Sequence, residues 1–485
     1  VESNVVRDPR RWWILGVLCL SLLVLMLDGT VLNLAIPSLI RELGATPSDV
    51  QWILDAYVLV FAGLLLTSGS LSDRFGRRRM LIYGLAVFGV ASLVAVLATE
   101  PWQVVAARVL MGVGGSLLMP STLSILMTTF AEDERRKAMA AWSTVSMVGI
   151  VAGPTLGGVL LQHYWWGSVF LLNIPVAALA IVAALVLMPE TKGEQRSVDL
   201  IGVLLSIVAL VSTVYVIIER EWNLGMIALA VLSAIGFVVW ESRSEHPMLP
   251  LAVFRNRDFT GTALTLLLMV FGMGAVMLML TQYLQFVLGY GPMKAGLALL
   301  PYAVAAAVCN GLGATLGKKL SNKTLIVAGL LVMGGAFAIL AVSTGYVSIL
   351  VSMLVMGIGG GLAGPAAYAA IMSAIPLEHA GVGSAMNDTL QQVGMAISIA
   401  ILGSVLAGVF TENMPADVPE AARESIGAAF QLGFAEPAKA AFTTAMATGS
   451  WISAGFCVAA ALLGVALLRA RRAPAEPQKS AVEVG

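Results

Sequence analysis

Only 12% of the 485 residues are charged, where soluble domains carry roughly 25%. That scarcity excludes an ordinary soluble globular chain. Lys+Arg and Asp+Glu stand at 28 each, so the net charge of zero says nothing about partners. There are three cysteines, Cys19, Cys309 and Cys457, each inside an apolar run, and an odd number argues against a disulfide framework. The three histidines, His163, His246 and His379, form no H-E-x-x-H pattern, and neither a cysteine cluster nor a G-x-S-x-G occurs. Those gaps remove the familiar metal and hydrolytic centres. No enzyme, metal, cofactor or nucleic-acid partner is expected.

What is present is apolar length. The chain is 59% hydrophobic with a mean hydropathy of +0.90, and runs of about 18 apolar residues suffice to cross the hydrocarbon core as helices. Fourteen such runs occur, at 12–36, 51–71, 80–98, 102–127, 138–161, 168–188, 199–219, 224–241, 258–288, 295–317, 324–343, 346–372, 382–410 and 449–469. The expectation is an all-α integral membrane protein with fourteen transmembrane helices. The first run is too long for a signal-peptide core and carries no A-x-A-like site, so it is expected to stay. An even number of spans puts both ends on one side. With the N-terminus cytoplasmic, 22 of the 28 basic residues fall in inner segments and five in outer ones. The positive-inside rule then makes both termini cytoplasmic.

The chain also repeats itself. "GVGGSLLMPSTLSILM" (112–127) aligns with "GIGGGLAGPAAYAAIM" (357–372) at an offset of 245. "GSLSDRFGRRRMLI" (69–82) aligns more weakly with "GATLGKKLSNKTLI" (313–326) at 244. Two matches at nearly one offset predict parallel six-helix halves, 12–190 and 258–469, with two inserted helices over 199–241. A tail of 1–11 precedes them and a disordered tail of 470–485 follows. Such halves point to a transporter with its substrate site between them. The outer segment 411–450, rich in alanine with Pro415, Pro419 and Pro437, is either a short helical hairpin over the exit or a loose loop.

"GSLSDRFGRRRM" (69–80) resembles the signature loop of the major facilitator superfamily, with Gly69, Asp73, Arg74, Gly76, Arg77 and Arg78 on its pattern. "LDGTVLNLAIP" (27–37) resembles the first-helix motif of the fourteen-span drug:proton antiporters. "ARVLMGVGGS" (107–116) carries the membrane arginine motif at Arg108, and "GIVAGPTLGG" (149–158) is similar to the antiporter motif of the fifth helix. "WILDAYVL", "PMLPLAVFRNRDF" and "PMKAGLALLPYA" are similar to the QacA-type antiseptic exporters. The resemblance implies proton-coupled efflux of lipophilic drugs or antiseptics from a bacterial cytoplasmic membrane, by a monomer among lipids. A dedicated exporter of a self-made antibiotic or a lipid, or a non-transporting sensor, is the alternative. Relatives that export divalent cations bring acids into their tenth and thirteenth helices. This chain has Ala306 and Gln392 there, which favours monocations.

Individual residues carry the chemistry. Ionisable groups in hydrocarbon are costly and mark interior paths. Asp28 lies about 24 Å along its span, Arg108 about 9 Å below an outer end, and Asp55 about 6 Å below another. All three share the outer half of the first bundle. A desolvated carboxylate holds its proton, whereas a nearby arginine favours release, so Asp28, Arg108 and Asp55 are expected to couple protons. Asp28 and Asp55 are also candidates for binding substrate. The alternatives are a structural carboxylate at Asp28, an interfacial Asp55, and an Arg108 that fixes Asp28 or a carbonyl. Asp388, near an inner end, either attracts cations or caps its helix. Trp142 and Tyr302 line a pliable pocket or are plain core. Asp73 lies at the inner end of its span, where the loop arginines pair with it or cap a neighbouring helix C-terminus; the cluster either latches one half to the other or only sets topology. Gly149, Gly153 and Gly157 share a helix face beside Pro154 and Gly158; the face either packs helices closely or forms the seam where the halves hinge.

Overall fold

The computed structural model describes residues 9–469 apart from 131, 193–198, 220–222, 245, 246, 248–250, 317–319, 344 and 374–379. The expected tail 470–485 and most of the tail 1–11 lie outside the described residues. Apolar runs in a membrane must satisfy every backbone group internally, which leaves the helix as the default. Among the described residues every regular element is helical.

The first half comprises α1 (Arg11–Leu43), α2 (Pro47–Phe75), α3 (Arg77–Val96), α4 (Pro101–Thr129), α5 (Glu132–His163), α6 (Ser168–Leu171) and α7 (Asn173–Leu187). Two helices follow, α8 (Leu200–Glu219) and α9 (Leu224–Arg243). The second half holds α10 (Arg257–Gln282), α11 (Pro292–Leu316), α12 (Asn322–Ala341), α13 (Tyr346–Ser373), α14 (Ala380–Asn413), α15 (Glu420–Arg423), α16 (Ile426–Gln431) and α17 (Ala435–Leu467). Thirteen of the described helical stretches are long and apolar enough to cross a membrane. With the 32-residue helix Glu132–His163, they make the fourteen expected passes, α6 and α7 together forming the sixth.

Local chemistry sets the ends. Thr46 and Asp49 form a capping box that starts α2 at Pro47, four residues before the expected span. Gly76, at φ 113°, makes the turn into α3, a conformation that side chains resist. Pro175 lacks the N–H that would bond Leu171, and the sixth pass breaks at Leu172. The segment expected as an outer loop over 411–450 is mostly helix. Its alanines favour helix, Pro437 sits where a first turn tolerates it, and α17 therefore begins at Ala435.

The repeat is visible in packing. A β-carbon at Gly114 would meet the Gly84 carbonyl at 2.7 Å, and one at Gly359 the Gly329 carbonyl at 2.6 Å. Gly112 abuts the Tyr57 carbonyl as Gly357 abuts that of Tyr302. All four relations share the offset 245. Ser68 bonds Ser116 at 3.1 Å, and Gly313 lies against Gly361, again at 245. The expected pairing of Gly69 with Gly313 is thus corrected by one residue. In α1 and α10 the register is 244: Gly149 lies against Leu23 and Met26, and Gly394 against Leu267 and Val270. Asp28 therefore falls opposite Gly272.

Within the halves, α1 packs on α5 and α7, α4 on α2 and α3, α13 on α11 and α12, and α17 on α10 and α12. The halves meet through α5 with α11, α2 with α14, and α1 with α10, while α8 lies along both α2 and α14. We call the end carrying Leu43 and Pro47 outer, after the orientation the basic residues imply. The side-chain contacts described between the halves gather there. Gln285, in the π-helical turn Tyr283–Val287, donates to the Leu34 carbonyl at 3.1 Å. Arg41 lies over the Phe286 ring, Gly427 abuts Ile40, and Gly403 abuts Gln51. The outer end is closed.

Candidate proton and substrate site

Asp28, Arg108 and their neighbours come from five helices. The Arg108 guanidinium donates through Nη1 to Asp28 Oδ2 at 2.6 Å, with each side chain 2% exposed. Its Nε donates to the Ile53 carbonyl at 2.9 Å, and its centre stands 4.2 Å over the Tyr57 ring. Asp28 Oδ1 accepts from Asn173 Nδ2 at 3.0 Å, and the same amide lies 3.3 Å from Ser92 Oγ. Both expected alternatives for Arg108, a carboxylate and a carbonyl, are realised together. A buried ion pair survives only when its remaining donors and acceptors are also satisfied, and these contacts supply that.

Two depths are corrected. α1 runs on through Pro37 to Leu43, so Asp28 lies about 25 Å from one end and about 22 Å from the other. It sits mid-helix, not in the outer half. Asp55 lies about 12 Å below the start of α2, and it is fully buried at 0% exposure. Among the described residues neither of its carboxylate oxygens has a hydrogen-bond partner.

The other candidates are separate. Asp388 accepts from Asn387 at 3.1 Å and lies in the third turn of α14, which starts at Ala380. It does not cap that helix. Tyr302 is half-buried and donates to Met273 Sδ at 3.5 Å, within its own half. Trp142 is half-buried against the core of the molecule.

The 69–80 loop is tied down inside the first half. Asp73 accepts from Arg77 at 2.6 Å. Arg78 donates through Nη1 to the Met188 carbonyl at 2.8 Å, capping the end of α7, and its backbone N–H donates to Glu190 at 3.1 Å. Arg79 stands 3.6 Å from Glu190, and Gly76 leaves the space that the Glu190 carboxylate occupies. Arg74 lies over Phe75, and Gly69 faces Pro120. The expected clasp to the other half is therefore not what these residues form with the outer end closed. The glycine seam is also narrower than expected. Gly149, Gly153 and Gly157 receive Met26, Thr30 and Val31 of α1, which is packing within one half. Of the four glycines only Gly158, whose β-carbon would meet Met293 Cα at 2.7 Å, faces the second half. Pro154 shares that helix.

Sequence reasoning missed Tyr57, Ser92, Asn173 and Glu190. Asn173 was the findable one, the sole strongly polar residue in "VFLLNIPVAALA". Ser92 and Tyr57 look like ordinary helix residues until the fold places them.

Comparison with known proteins fits this geometry. The family model described as Major Facilitator Superfamily matches residues 18–399. The chain is 33% identical to the multidrug efflux pump LfrA of Mycolicibacterium smegmatis, over 96% of this chain and 98% of that protein. It is 37% identical to the puromycin resistance protein pur8 of Streptomyces alboniger, over 84% of each. Among solved structures, an inward-facing, occupied bacterial homologue of the human lysosomal transporter Spinster superposes with a TM-score of 0.71 at 16% identity. That match covers 96% of this chain and 100% of the other.

Proposed function

Because this chain belongs to the Major Facilitator Superfamily, it is a transporter and not an enzyme, and we propose that it exports lipophilic monocations, drugs or antiseptics, in exchange for protons. The observation that carries the proposal is the sealed pair of Asp28, midway along α1, and Arg108 at 2.6 Å. In the proposed cycle Asp28 is paired with Arg108 in one setting, and in the other Arg108 parts from it and a proton takes its place, so that no lone charge is left buried. Alternating those two settings loads and releases a proton at Asp28. Asp55 is the second carboxyl of the cycle, and Asp388, on the inner side, draws cations toward the path. Tyr302 and Trp142 offer aromatic surface to a cation.

The relatives support export: one is a multidrug efflux pump, and another is a methyl viologen resistance protein of Salmonella typhimurium. Ala306 and Gln392, in place of acids, support monocations over divalent substrates. The skew of basic residues supports both termini inside, and the proposal takes the protein as a monomer in a bacterial cytoplasmic membrane. A second reading, export of a self-made antibiotic, is favoured by the similarity to puromycin, methylenomycin and tetracenomycin resistance proteins of Streptomyces.

Reconstituted vesicles with an imposed pH gradient test the coupling. Asp28→Asn should abolish uphill, gradient-driven accumulation and keep some downhill exchange, while Asp28→Glu keeps partial activity. A well-folded Asp28→Asn protein that accumulates substrate at the normal rate would remove Asp28 from the coupling step. A panel of chemically unrelated cations separates the two readings by breadth.

A further inference from the structure

The closed outer end encloses a cavity that neither Asp28 nor Arg108 lines. Its wall on the first half is Ile40 of α1 with Val50 and Gln51 of α2. Its wall on the second half is Met279 of α10, Phe410 of α14 and Phe442 of α17. Ser425 and Ile426 roof it, and that roof is anchored on both sides. Thr411 Oγ1 donates to the Arg423 carbonyl at 2.9 Å and Arg423 Nη2 to the Thr411 carbonyl at 3.3 Å, which ties α15 to the end of α14. Gly427 rests on Ile40, and Phe430 packs edge-on against Phe286 at 5.3 Å, which seats α16 across the two halves.

Gln51 is buried and Glu424 exposed, so the cavity has an apolar body, an amide floor and an acidic mouth. Among the described residues that line it, Glu424 alone is charged. The described basic residues of the outer end are engaged elsewhere. Arg423 serves Thr411, Arg41 lies over Phe286, Lys294 over Tyr290, and Lys439 pairs with Glu436 at 2.8 Å. The segment 411–434 carries Glu412, Asp417, Glu420 and Glu424 against Arg423, a balance that draws cations to the mouth. The space is about 580 Å³ with its open mouth included, toward the small end of ligand pockets. It suits one ring or a short chain, with a cationic head left at the mouth.

We propose that this cavity is a second ligand site, entered from outside, for a small lipophilic monocation, an aryl or alkyl ammonium, whose body bridges the two halves. Opening the outer end separates Ile40 and Gln51 from Met279 and Phe410 and takes the site apart. An occupant therefore favours the shut gate, because it binds that state alone. An ammonium at high concentration outside holds the outer end closed without competing at Asp28. The site goes beyond the export reading: it uses the orientation of the chain and needs neither proton coupling nor a transported ligand.

Benzyltrimethylammonium and phenylmethanesulfonate, one ring with heads of opposite charge, are dialysed to equilibrium against the protein in nanodiscs of phosphatidylcholine. The native protein should bind the cation saturably and ignore the anion. Glu424→Gln should weaken the cation about two- to fivefold, as loss of an exposed ion pair allows, and Glu424→Lys, also at an exposed position, should abolish its binding. Val50→Trp on the first half and Ala407→Trp on the second each fill the cavity and should each abolish binding. Spin labels on cysteines at Glu42 and Asn413, exposed at the outer ends of α1 and α14, read the gate in a background without Cys19, Cys309 and Cys457. Where both distances are present, the cation at about ten times its Kd should lower the open:closed ratio about elevenfold. Unchanged affinity in Glu424→Lys assigns the cation to another site and overturns the proposal, as does a native protein without saturable binding. Binding that survives either tryptophan, or an open population that the cation does not lower, overturns the bridging of the halves.

Discussion

Removing one member of the Asp28–Arg108 pair should damage the protein far more than removing both. The two side chains are each 2% exposed and 2.6 Å apart, so either partner left alone is an uncompensated buried charge, which costs about 3–5 kcal/mol. Asp28→Asn falls at the lower end, near ~3 kcal/mol, because Arg108 retains the Ile53 carbonyl and the Tyr57 ring. Arg108→Met falls higher, since Asp28 then keeps only the Asn173 amide. In the double variant no charge remains to be stranded, and the loss should shrink to about 1–2 kcal/mol from the altered packing and the freed carbonyl. The coupling energy is then about 5–7 kcal/mol, above the usual range for residues in direct contact because each single variant strands a buried charge. Reversible denaturant titration of the four proteins in one detergent measures it. Additivity within about 0.5 kcal/mol would refute the reasoning, because it would mean that each charge is solvated independently of the other.

Two further outcomes are expected. Cysteines introduced at Gly193 and Ser480 should be shielded from a membrane-impermeant thiol reagent in intact cells while one at Asp417, exposed in the outer segment, labels; the opposite pattern would reverse the orientation. Asp73→Asn and Glu190→Gln should each leave the protein inserted yet slow every substrate by a similar factor, because both loosen the anchored 69–80 loop without touching the pocket, and normal turnover in both variants would reduce that loop to a topology signal.

The fold was legible because a membrane strips the problem to few variables. Length and apolarity identify a span. The glycine frames, Gly112 with Gly114 and Gly357 with Gly359, expose the repeat because only glycine permits the approach to Gly84 and Gly329. The site was legible at Asp28, Asp55 and Arg108 for the same reason, since charge is conspicuous in hydrocarbon. What stayed hidden was partnership. That the loop arginines pair with Asp73 or cap a helix end was expected, but the particular partners, Arg77 across the Gly76 turn and the Met188 carbonyl for Arg78, depend on how α3 follows α2 and sits against α7. Span ends also escaped hydropathy, because α1, α2 and α17 continue past the apolar core through Pro37, from Pro47 and from Ala435. Those extensions moved Asp28 to mid-helix and Asp55 inward.

The repeat also explains why the charge can be so one-sided. At the registers the packing defines, Tyr57 answers to Tyr302 while Asp28 and Arg108 answer to Gly272 and Met353, and Asp55 to Leu300. The anion and the cation are absent together in the second half, which is the combination that strands nothing. Gly272 lies against Ser453 and Cys457 of α17, and Met353 is fully buried, so the space is filled by packing. Packing glycines are kept in both halves because both must hold the same helix crossings. The charged pair is kept in one because a carboxylate needs only one guanidinium to leave and rejoin. In the proposed cycle, a half that lacks the pair moves against a half whose Asp28 and Arg108 part and rejoin, and the gradient acts on one side of the seam.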